Sequence, residues 1–441
     1  MKILLVQPPF EDFYATPIRL YPLGLLYAAR VLRAAGCSVE ILDCLAPLRK
    51  CAVPVPEEMS YLEPYIGEPH FFKGFYRFGI RDEEILRRIM VAAPDLVGIS
   101  SQFTAYYQSV ESLARLIKKE LGLRVFIGGH HATAFADEIR KRTPEIDHVL
   151  TGPAEDCLPR LLKGLRLSSD GTHLDWAEIR PAHDLLVPGR HKIGRKNYIS
   201  ITASRGCPFP CDFCCVHNMF GAHIRYRTAA SVLDEMRWAR LERGVEVFNF
   251  EDDNLSFDRD WFLAFLDAVA AHPALAGVEL TAMNGFCSWT LHEEHLRAMA
   301  AAGFKRLNLS FVSRSPEVKS SYRRRPENSD FEDLIRVAHR LGLFVTVYVM
   351  IGLPGQTYEE VRESMEYLWG LGVLVGPSVF YVPPGSPLFS RLDLPAGLRD
   401  NWNLYRSSAF AVESAALPRS KLLELFLSAR GRNLENRAKL G

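Results

Sequence analysis

The sequence predicts an α/β protein in two parts: an N-terminal doubly wound parallel sheet, then a partial barrel of six strand–helix units with a C-terminal helical segment. Three observations carry this. From residue 1 to 165, short continuous apolar runs alternate with helical stretches, the pattern of a parallel sheet covered on both faces. A second strand–helix series starts at Tyr198, and its helices end at Gly244, Gly303, Gly342 and Gly372, each leading into an apolar strand. The chain has 441 residues, 48% of them apolar, enough for two or three domains with full cores.

In the first part, residues 1–165, the expected strands are 3–6, 39–42, 95–100, 124–127 and 148–150. Residues 22–35 read as an amphipathic helix stopped by Gly36, and 110–121 as another. Residues 46–80, rich in Pro, Gly and aromatics, read as a loop-rich insertion that pads the domain interface or lines a substrate pocket. Residues 166–196 turn polar and irregular and are the expected linker, its basic run 191–196 a solvated surface. The barrel is expected over 197–390, with strands at 199–203, 245–250, 278–282, 304–309, 343–351 and 375–381. Helices starting near Thr290, Ser329 and Thr357 carry Glu293, Glu332 and Glu360 three residues on, the spacing of a capping box. Six units are too few for a closed eight-unit barrel. Residues 391–441 are the C-terminal helical segment, and its stretch 421–430 is expected to pack on the barrel.

The formal charge of +1 gives no electrostatic case for nucleic acid or an anionic membrane. No apolar run is long enough to span a bilayer, and the opening residues lack the basic start and cleavage site of a signal peptide. Nine cysteines in so long a chain argue against a disulfide scaffold, so a reducing cytoplasm is the expected setting. Cys37, Cys44, Cys51, Cys157 and Cys287 read as small core hydrophobes.

Cys207, Cys211 and Cys214 are different. They form Cys-x3-Cys-x2-Cys in the loop after the first barrel strand, at the strand ends where such sheets gather their chemistry. Three thiolates on an iron–sulfur cubane leave one iron open for a small ligand. The competing reading is a zinc knot, which closes its shell with a fourth Cys or His; Cys215 and His217 lie nearby. Three further segments stand at barrel strand ends. Glu251, Asp252 and Asp253 would repel one another without a cationic partner, or else cap the next helix together with Asp258. Ser310 is followed by the basic run 323–325. The segment Ile351-Gly352-Leu353-Pro354-Gly355-Gln356 lets backbone approach a ligand, or is a plain turn before a capped helix.

The cysteine motif, with Phe213 just before its last cysteine, resembles the radical S-adenosylmethionine (SAM) superfamily. The resemblance implies a 4Fe–4S cluster on Cys207, Cys211 and Cys214 whose open iron binds SAM, and reductive cleavage of SAM to a 5′-deoxyadenosyl radical. It implies SAM contacts from Phe213 at the adenine, from Glu251, Asp252 or Asp253 at the ammonium, and from Ile351 and Gly352 in the adenine-contacting segment. Where many relatives carry Glu-Ser-Gly, this chain has Ser310-Phe311-Val312-Ser313, leaving Ser310 as the candidate there and Arg324 for the SAM carboxylate.

The first part is similar to the cobalamin-binding domain of a radical SAM subclass, through residues 7–9, 22–25, 128–132 and 151–155. Gln7, Pro8, Gly128, Gly129, His130 and Gly152 are then the cobalamin candidates. The adjacent pair Asp147-His148 does not match the Asp-x-His-x-x-Gly of domains with a lower histidine ligand. The resemblance implies cobalamin-dependent methylation of an unactivated carbon in a small-molecule or natural-product substrate, with electrons from a flavodoxin or ferredoxin. The alternatives are a radical SAM cyclisation, rearrangement or coupling enzyme with a cobalamin-free first domain, and a non-enzymatic iron–sulfur redox protein. Tyr348, Tyr381 and Asn284 are candidate substrate-facing groups, and Cys287 is the candidate for a general base or radical-quenching residue.

Overall fold

The computed structural model describes residues 1–15, 21–46, 48–166, 174–327 and 330–440. Residues 167–173 of the expected linker and Ser329 of an expected cap lie outside the described residues.

The N-terminal sheet consists of β1 (Lys2–Gln7), β2 (Ser38–Asp43), β3 (Leu96–Ser100), β4 (Arg124–Gly128) and β5 (His148–Val149). All pair in parallel, in the order β2-β1-β3-β4-β5. The chain steps one way from β1 to β2 and the other way from β3 onward, so a topological switch point lies between β1 and β3. Open α/β sheets bind ligands outside the carboxyl ends at such a point. The centre of β1 reads Ile3-Leu4-Leu5-Val6, all four buried, because helices cover both faces.

The second part has β6 (Lys196–Ile201), β7 (Val247–Phe250), β8 (Glu279–Thr281), β9 (Arg306–Phe311), β10 (Phe344–Ile351) and β11 (Leu374–Val379). β6, β7 and β8 form one parallel group and β9, β10 and β11 another. A parallel bridge between Leu280 and Phe304 joins them into one curved wall. In β10, Val345, Val347, Val349 and Ile351 are buried under helices, while Thr346, Tyr348 and Met350 are half-buried toward the lumen, the alternation of a barrel wall. The six expected strands are the six observed.

Three local expectations need correction. The insertion is more regular than loop: Phe10–Asp12, Lys50–Val53 and Phe75–Phe78 form a three-stranded antiparallel sheet. These strands are too short, and too closely flanked by proline, for alternation to show in sequence. Thr290 does not cap a helix. The chain makes a single turn at Ser288–Thr290, and the helix starts later at Glu293–Ala302, with His295 Nδ1 accepting the His292 N–H at 3.0 Å. Thr357 does cap, its Oγ1 accepting the Glu360 N–H, but the Glu360 carboxylate turns to Ser313 and Ser364 instead of closing the box.

The insertion's Met59, Leu62, Phe71, Phe72 and Phe75 join the barrel's main hydrophobic core. So do Leu422, Leu423, Leu425, Phe426 and Ala429 of the C-terminal helix Arg419–Leu440, which packs on the barrel as expected. Asn433 of that helix blunts the open edge of β11: its side chain accepts the Val375 N–H at 3.0 Å and donates to the Val375 carbonyl at 2.6 Å. No helix among the described residues is long and apolar enough to cross a membrane.

The segment before that helix straps the N-terminal part to the barrel. The Arg406 guanidinium donates to the Glu11 and Ala105 carbonyls, and Ser408 donates to Asp12. Trp402 packs 4.7 Å from the buried His131 ring, which Tyr107 and Phe135 also enclose. Burial, assisted by Arg142, pushes His131 down to about 3. The unfolded chain therefore binds a proton that the native state refuses. Its contribution is intact above about pH 6.5 and is lost progressively as pH falls toward 3. Replacement His131→Phe should flatten the acid side of a melting-temperature profile across that window; an unchanged slope would show that other groups set it.

Candidate functional site

The cysteine loop leaves β6 through a short hairpin in which Ser204–Arg205 pairs with Arg225–Tyr226. Gly206 makes the sharp entry into Cys207 at a φ of 89°, where a Cβ would lie 2.2 Å from the His223 carbonyl oxygen, so only glycine fits. The loop then folds on itself. The Cys214 N–H donates to the Cys211 carbonyl at 3.1 Å, and His217 Nε2 lies 2.6 Å from the Cys207 carbonyl. All three thiols are unpaired. Burial pushes Cys207 up and Cys214 up to about 12, so a cation must replace their protons before they act as thiolates.

The acidic run at the end of β7 clamps this loop. Asp252 is fully enclosed; its carboxylate accepts the Ala203 N–H at 3.1 Å, the Ser204 N–H, and the Ser204 hydroxyl at 2.7 Å. Burial lifts Asp252 up to about 7 against the pull of these donors. The Asp253 carboxylate accepts the Gly206 N–H at 2.9 Å, and Asn254 Nδ2 lies 3.7 Å from Cys207 Sγ. Of the candidates for the SAM ammonium, Asp252 thus has both oxygens on the loop's amides and Asp253 one oxygen on the Gly206 amide. Glu251 faces the barrel lumen beside Ser200 and Asn249, at 3.3 and 2.6 Å. Asp258 caps the next helix through the Trp261 N–H.

Opposite stands the wall of β9. Arg324 is buried, stacked 4.1 Å from the Trp289 ring centroid; it donates to Ser310 Oγ at 2.8 Å and reaches within 3.9 Å of Cys211 Sγ. Its Nε is enclosed with no partner among the described residues, a donor left for a ligand. Its neighbour Arg323 is spent on Asp212. Cys287 sits beside Ser310 on a two-residue strand; burial pushes it up to about 11, opposed by Arg324. Tyr348 projects into the lumen within 3.6 Å of where a Gly285 Cβ would stand. Asn284 Oδ1 is enclosed without a partner among the described residues.

Phe213 borders an apolar cluster of Val312, Tyr322, Leu353, Phe380 and Val382, which also takes in the corner after Gly352. Gln356 builds that corner: its Oε1 accepts the Gly352 and Leu353 N–H groups, both at 2.9 Å, and its Nε2 donates to the Met350 and Val312 carbonyls. An amide side chain suits this corner because its oxygen accepts twice while its separate nitrogen donates twice. Ile351 is turned into the core, and its carbonyl accepts the Phe380 N–H. Its side chain lies away from the groups that meet at the cysteine loop.

The N-terminal sheet brings a second set of groups to the same region. A crevice at the switch point is lined by Gln7, Pro8, Pro9, Ser100, Gln102 and Phe103, with Tyr106 behind. Beside it Gly129, at a φ of 124°, comes so close to β3 that a Cβ would lie 2.6 Å from the Ser101 carbonyl oxygen. The Ser101 hydroxyl is enclosed with no partner among the described residues. The Gly152 N–H donates to Thr133 Oγ1, which in turn donates to the Gly129 carbonyl next to Gly128. Sequence reasoning did not single out Ser101, Gln102 or Phe103; their place directly after β3 of a doubly wound sheet was the available signal.

The two sets face each other. The helix Val216–Phe220, immediately after the cysteines, lies on the 129–133 corner, with Phe220 against His130 at 5.9 Å and Met219 Sδ 4.0 Å from Thr133 Oγ1. Arg205 crosses the junction to pair with Glu155 at 2.7 Å, both ends buried, under the rings of Tyr27, Trp176 and Phe220.

These donor sets fit an iron–sulfur cluster and a cobalamin. Among the described residues, no three His, Cys, Asp or Glu side chains are drawn close enough to hold a single metal ion. Three thiols with Asn254 and Arg324 as nitrogen donors toward sulfur suit a larger anionic cluster. The orphaned Ser101 hydroxyl and the bare backbone at Gly129 suit a bulky ligand carrying polar groups.

Comparison with known proteins agrees with this layout. The profile of the family described as Radical SAM superfamily matches residues 201–368, and that of the B12 binding domain matches residues 72–162. Cytidylyl-2-hydroxyethylphosphonate methyltransferase of Streptomyces wedmorensis is 27% identical over 431 residues, covering 83% of this chain and 76% of that protein. Bacteriochlorophyllide d C-12(1)-methyltransferase of Chlorobaculum tepidum is 25% identical, covering 70% of this chain and 68% of its own length. Among solved structures, the radical S-adenosylmethionine methyltransferase TsrM from Kitasatospora setae, with cobalamin and a [4Fe-4S] cluster bound, superposes with a TM-score of 0.64 at 18% identity. That superposition covers 96% of this chain and 90% of TsrM, and shows a shared fold.

Proposed function

We propose that the chain is a member of the radical SAM superfamily, in the group that carries a B12-binding domain ahead of the barrel and uses an iron–sulfur cluster, SAM and cobalamin, and that it methylates an unactivated carbon of a small-molecule or natural-product substrate. The observation that supports this most directly is the meeting of the two strand-end faces, with the helix Val216–Phe220 on the 129–133 corner and Arg205 paired with Glu155. Methyl transfer from a corrinoid to a substrate radical needs both sites to open on one space.

Cys207, Cys211 and Cys214 would hold the cluster; Glu251, Ser310, Arg324, Phe213 and the Gly352 corner would hold SAM. Gln7, Pro8, Ser101, Gly128, Gly129, His130 and Gly152 would hold cobalamin. Bound there, these groups would supply the 5′-deoxyadenosyl radical and the transferable methyl group. The protein's own work is placement. Asp252 and Asp253 fix the cysteine loop through its amides, and Arg324, held by Ser310 and Trp289, presents a guanidinium to a carboxylate. The cluster of Val312, Tyr322, Leu353 and Phe380 keeps water from the radical's side. Electrons would come from a flavodoxin or ferredoxin in a reducing cytoplasm.

The test is anaerobic reconstitution of the full chain with iron, sulfide, SAM and reductant, with and without hydroxocobalamin. Bound corrinoid, deoxyadenosine and S-adenosylhomocysteine are the expected products and species. A chain that releases deoxyadenosine yet retains no corrinoid would sink the methyl-transfer reading and leave radical cyclisation or rearrangement. Release of neither nucleoside would sink radical SAM chemistry itself.

A further inference from the structure

Where the insertion, the C-terminal helix and the end of β11 meet, two donors stand without hydrogen-bond partners among the described residues. Arg430 lies one turn beyond Phe426, its guanidinium 5.3 Å from the Phe426 ring centroid and 5.7 Å from that of Phe72. Other arginines packed into the molecule each reach an oxygen: Arg205 on Glu155, Arg227 on Glu235, Arg324 on Ser310 and Arg406 on three carbonyls. Arg430 makes no hydrogen bond or ion pair with the described residues. Burial pulls its pKa down, and the group opposing this is Tyr14, not a carboxylate. A guanidinium desolvated against two phenyl faces without an anion is held at a cost that an incoming anion would remove.

Tyr14 is the second donor. Its ring meets Phe72 edge-on at 5.3 Å, and its hydroxyl makes no hydrogen bond with the described residues. Asp12, the carboxylate that acts on it most, is already held by Tyr106, Ser408 and the Phe13 N–H. Tyr14 and Arg430 are both half-buried rather than enclosed. Tyr14 stands four residues after Phe10, which lines the switch-point crevice, so the pair lies close to the space between the two parts.

We propose that Arg430 and Tyr14 bind an oxyanion of the substrate, a carboxylate, phosphate or phosphonate, with the substrate's apolar body against Phe72 and Phe426. This names the substrate class of the site described under Proposed function and rests on that reading. The planar fork supplies two parallel N–H donors to two oxygens, and the phenol adds a third donor from the side.

The reconstituted full chain is titrated calorimetrically with methylphosphonate and, separately, with acetate; whichever binds distinguishes the two oxyanion sources. Saturable binding to the wild type is expected, weakened about tenfold or more in Arg430→Met, which keeps the stem on the rings, and by less in Arg430→Lys and Tyr14→Phe. Absence of saturable binding of either anion to the wild type, or equal binding to Arg430→Met, would overturn the proposal. If Arg430→Met fails to fold, Arg430→Lys and Tyr14→Phe decide by the same comparison. SAM cleavage is read in the same wild-type sample. Anion binding through Arg430 with no nucleoside released overturns the radical reading alone, and nucleoside release without anion binding overturns the oxyanion site alone.

Discussion

Replacing Asp252 with alanine should cost the protein its cluster while leaving all three cysteines in place. The carboxylate is enclosed at the end of β7 and takes the Ala203 N–H, the Ser204 N–H and the Ser204 hydroxyl. These groups belong to the turn that carries the chain from β6 into Gly206 and Cys207. Without Asp252, two backbone N–H groups stay buried and unsatisfied, each at about 1–3 kcal/mol, or the turn moves to find water. Either way Cys207 loses its fixed place relative to Cys211 and Cys214. Removal of groups that orient metal ligands typically lowers metal affinity about 10–100-fold, and that is the expected loss here. Iron and sulfide per chain after an anaerobic chelator challenge measure it. Asp252→Asn keeps one acceptor oxygen and the side chain's shape, so its loss should be intermediate. Full iron retention by Asp252→Ala would mean that the cysteine loop holds its geometry unaided.

The contrast between Asp252 and the cysteines shows what the sequence could and could not reveal. The strands were legible because their burial depends on their own residues: the centre of β1, residues 3–6, is apolar throughout, and the stops at Gly303 and Gly342 stand beside the strands they introduce. Cys207, Cys211 and Cys214 were legible because one short loop carries all three ligands. Glu251, Asp252 and Asp253 were visible as a group but not divisible, since their partners lie some 50 residues earlier across the β6–β7 pair. Sequence gave three like charges, and repulsion suggested a cation; the fold answered two of them with backbone amides. Thr290 failed for a related reason. Its spacing to Glu293 is right, but its hydroxyl is engaged by Ser256 and the Cys287 carbonyl, and the helix waits for His292. Asn433 on β11 and Arg430 beside Phe72 were beyond reach, because each joins the C-terminal helix to an element far earlier in the chain. Local pattern names the elements and the donor atoms; only tertiary contact says which of them are already occupied.

Glu155→Ala should loosen the junction between the two sites more than any other single change on the N-terminal side. The pair with Arg205 is buried at both ends, and Arg205 stands two residues before Cys207. Truncating Glu155 leaves a guanidinium enclosed by Tyr27, Trp176 and Phe220 with no counter-charge, a situation that costs about 3–5 kcal/mol. The aromatic rings recover part of this by cation–π attraction, but they cannot accept the hydrogen bonds. The cheapest escape is for Arg205 to swing to solvent, taking with it the hairpin and the helix Val216–Phe220 that rests on the 129–133 corner. Amide hydrogen exchange should therefore accelerate about a hundredfold or more at both 203–207 and 129–133 while the amides of β10 keep their protection. The double replacement Glu155→Leu with Arg205→Met separates charge from packing. Two apolar side chains of similar volume remove the uncompensated ion, so exchange should return close to the wild-type rate. If the double variant opens as readily as Glu155→Ala, the ion pair is needed for its directionality. If Glu155→Ala exchanges like the wild type, the two faces are held together by the aromatic contacts alone.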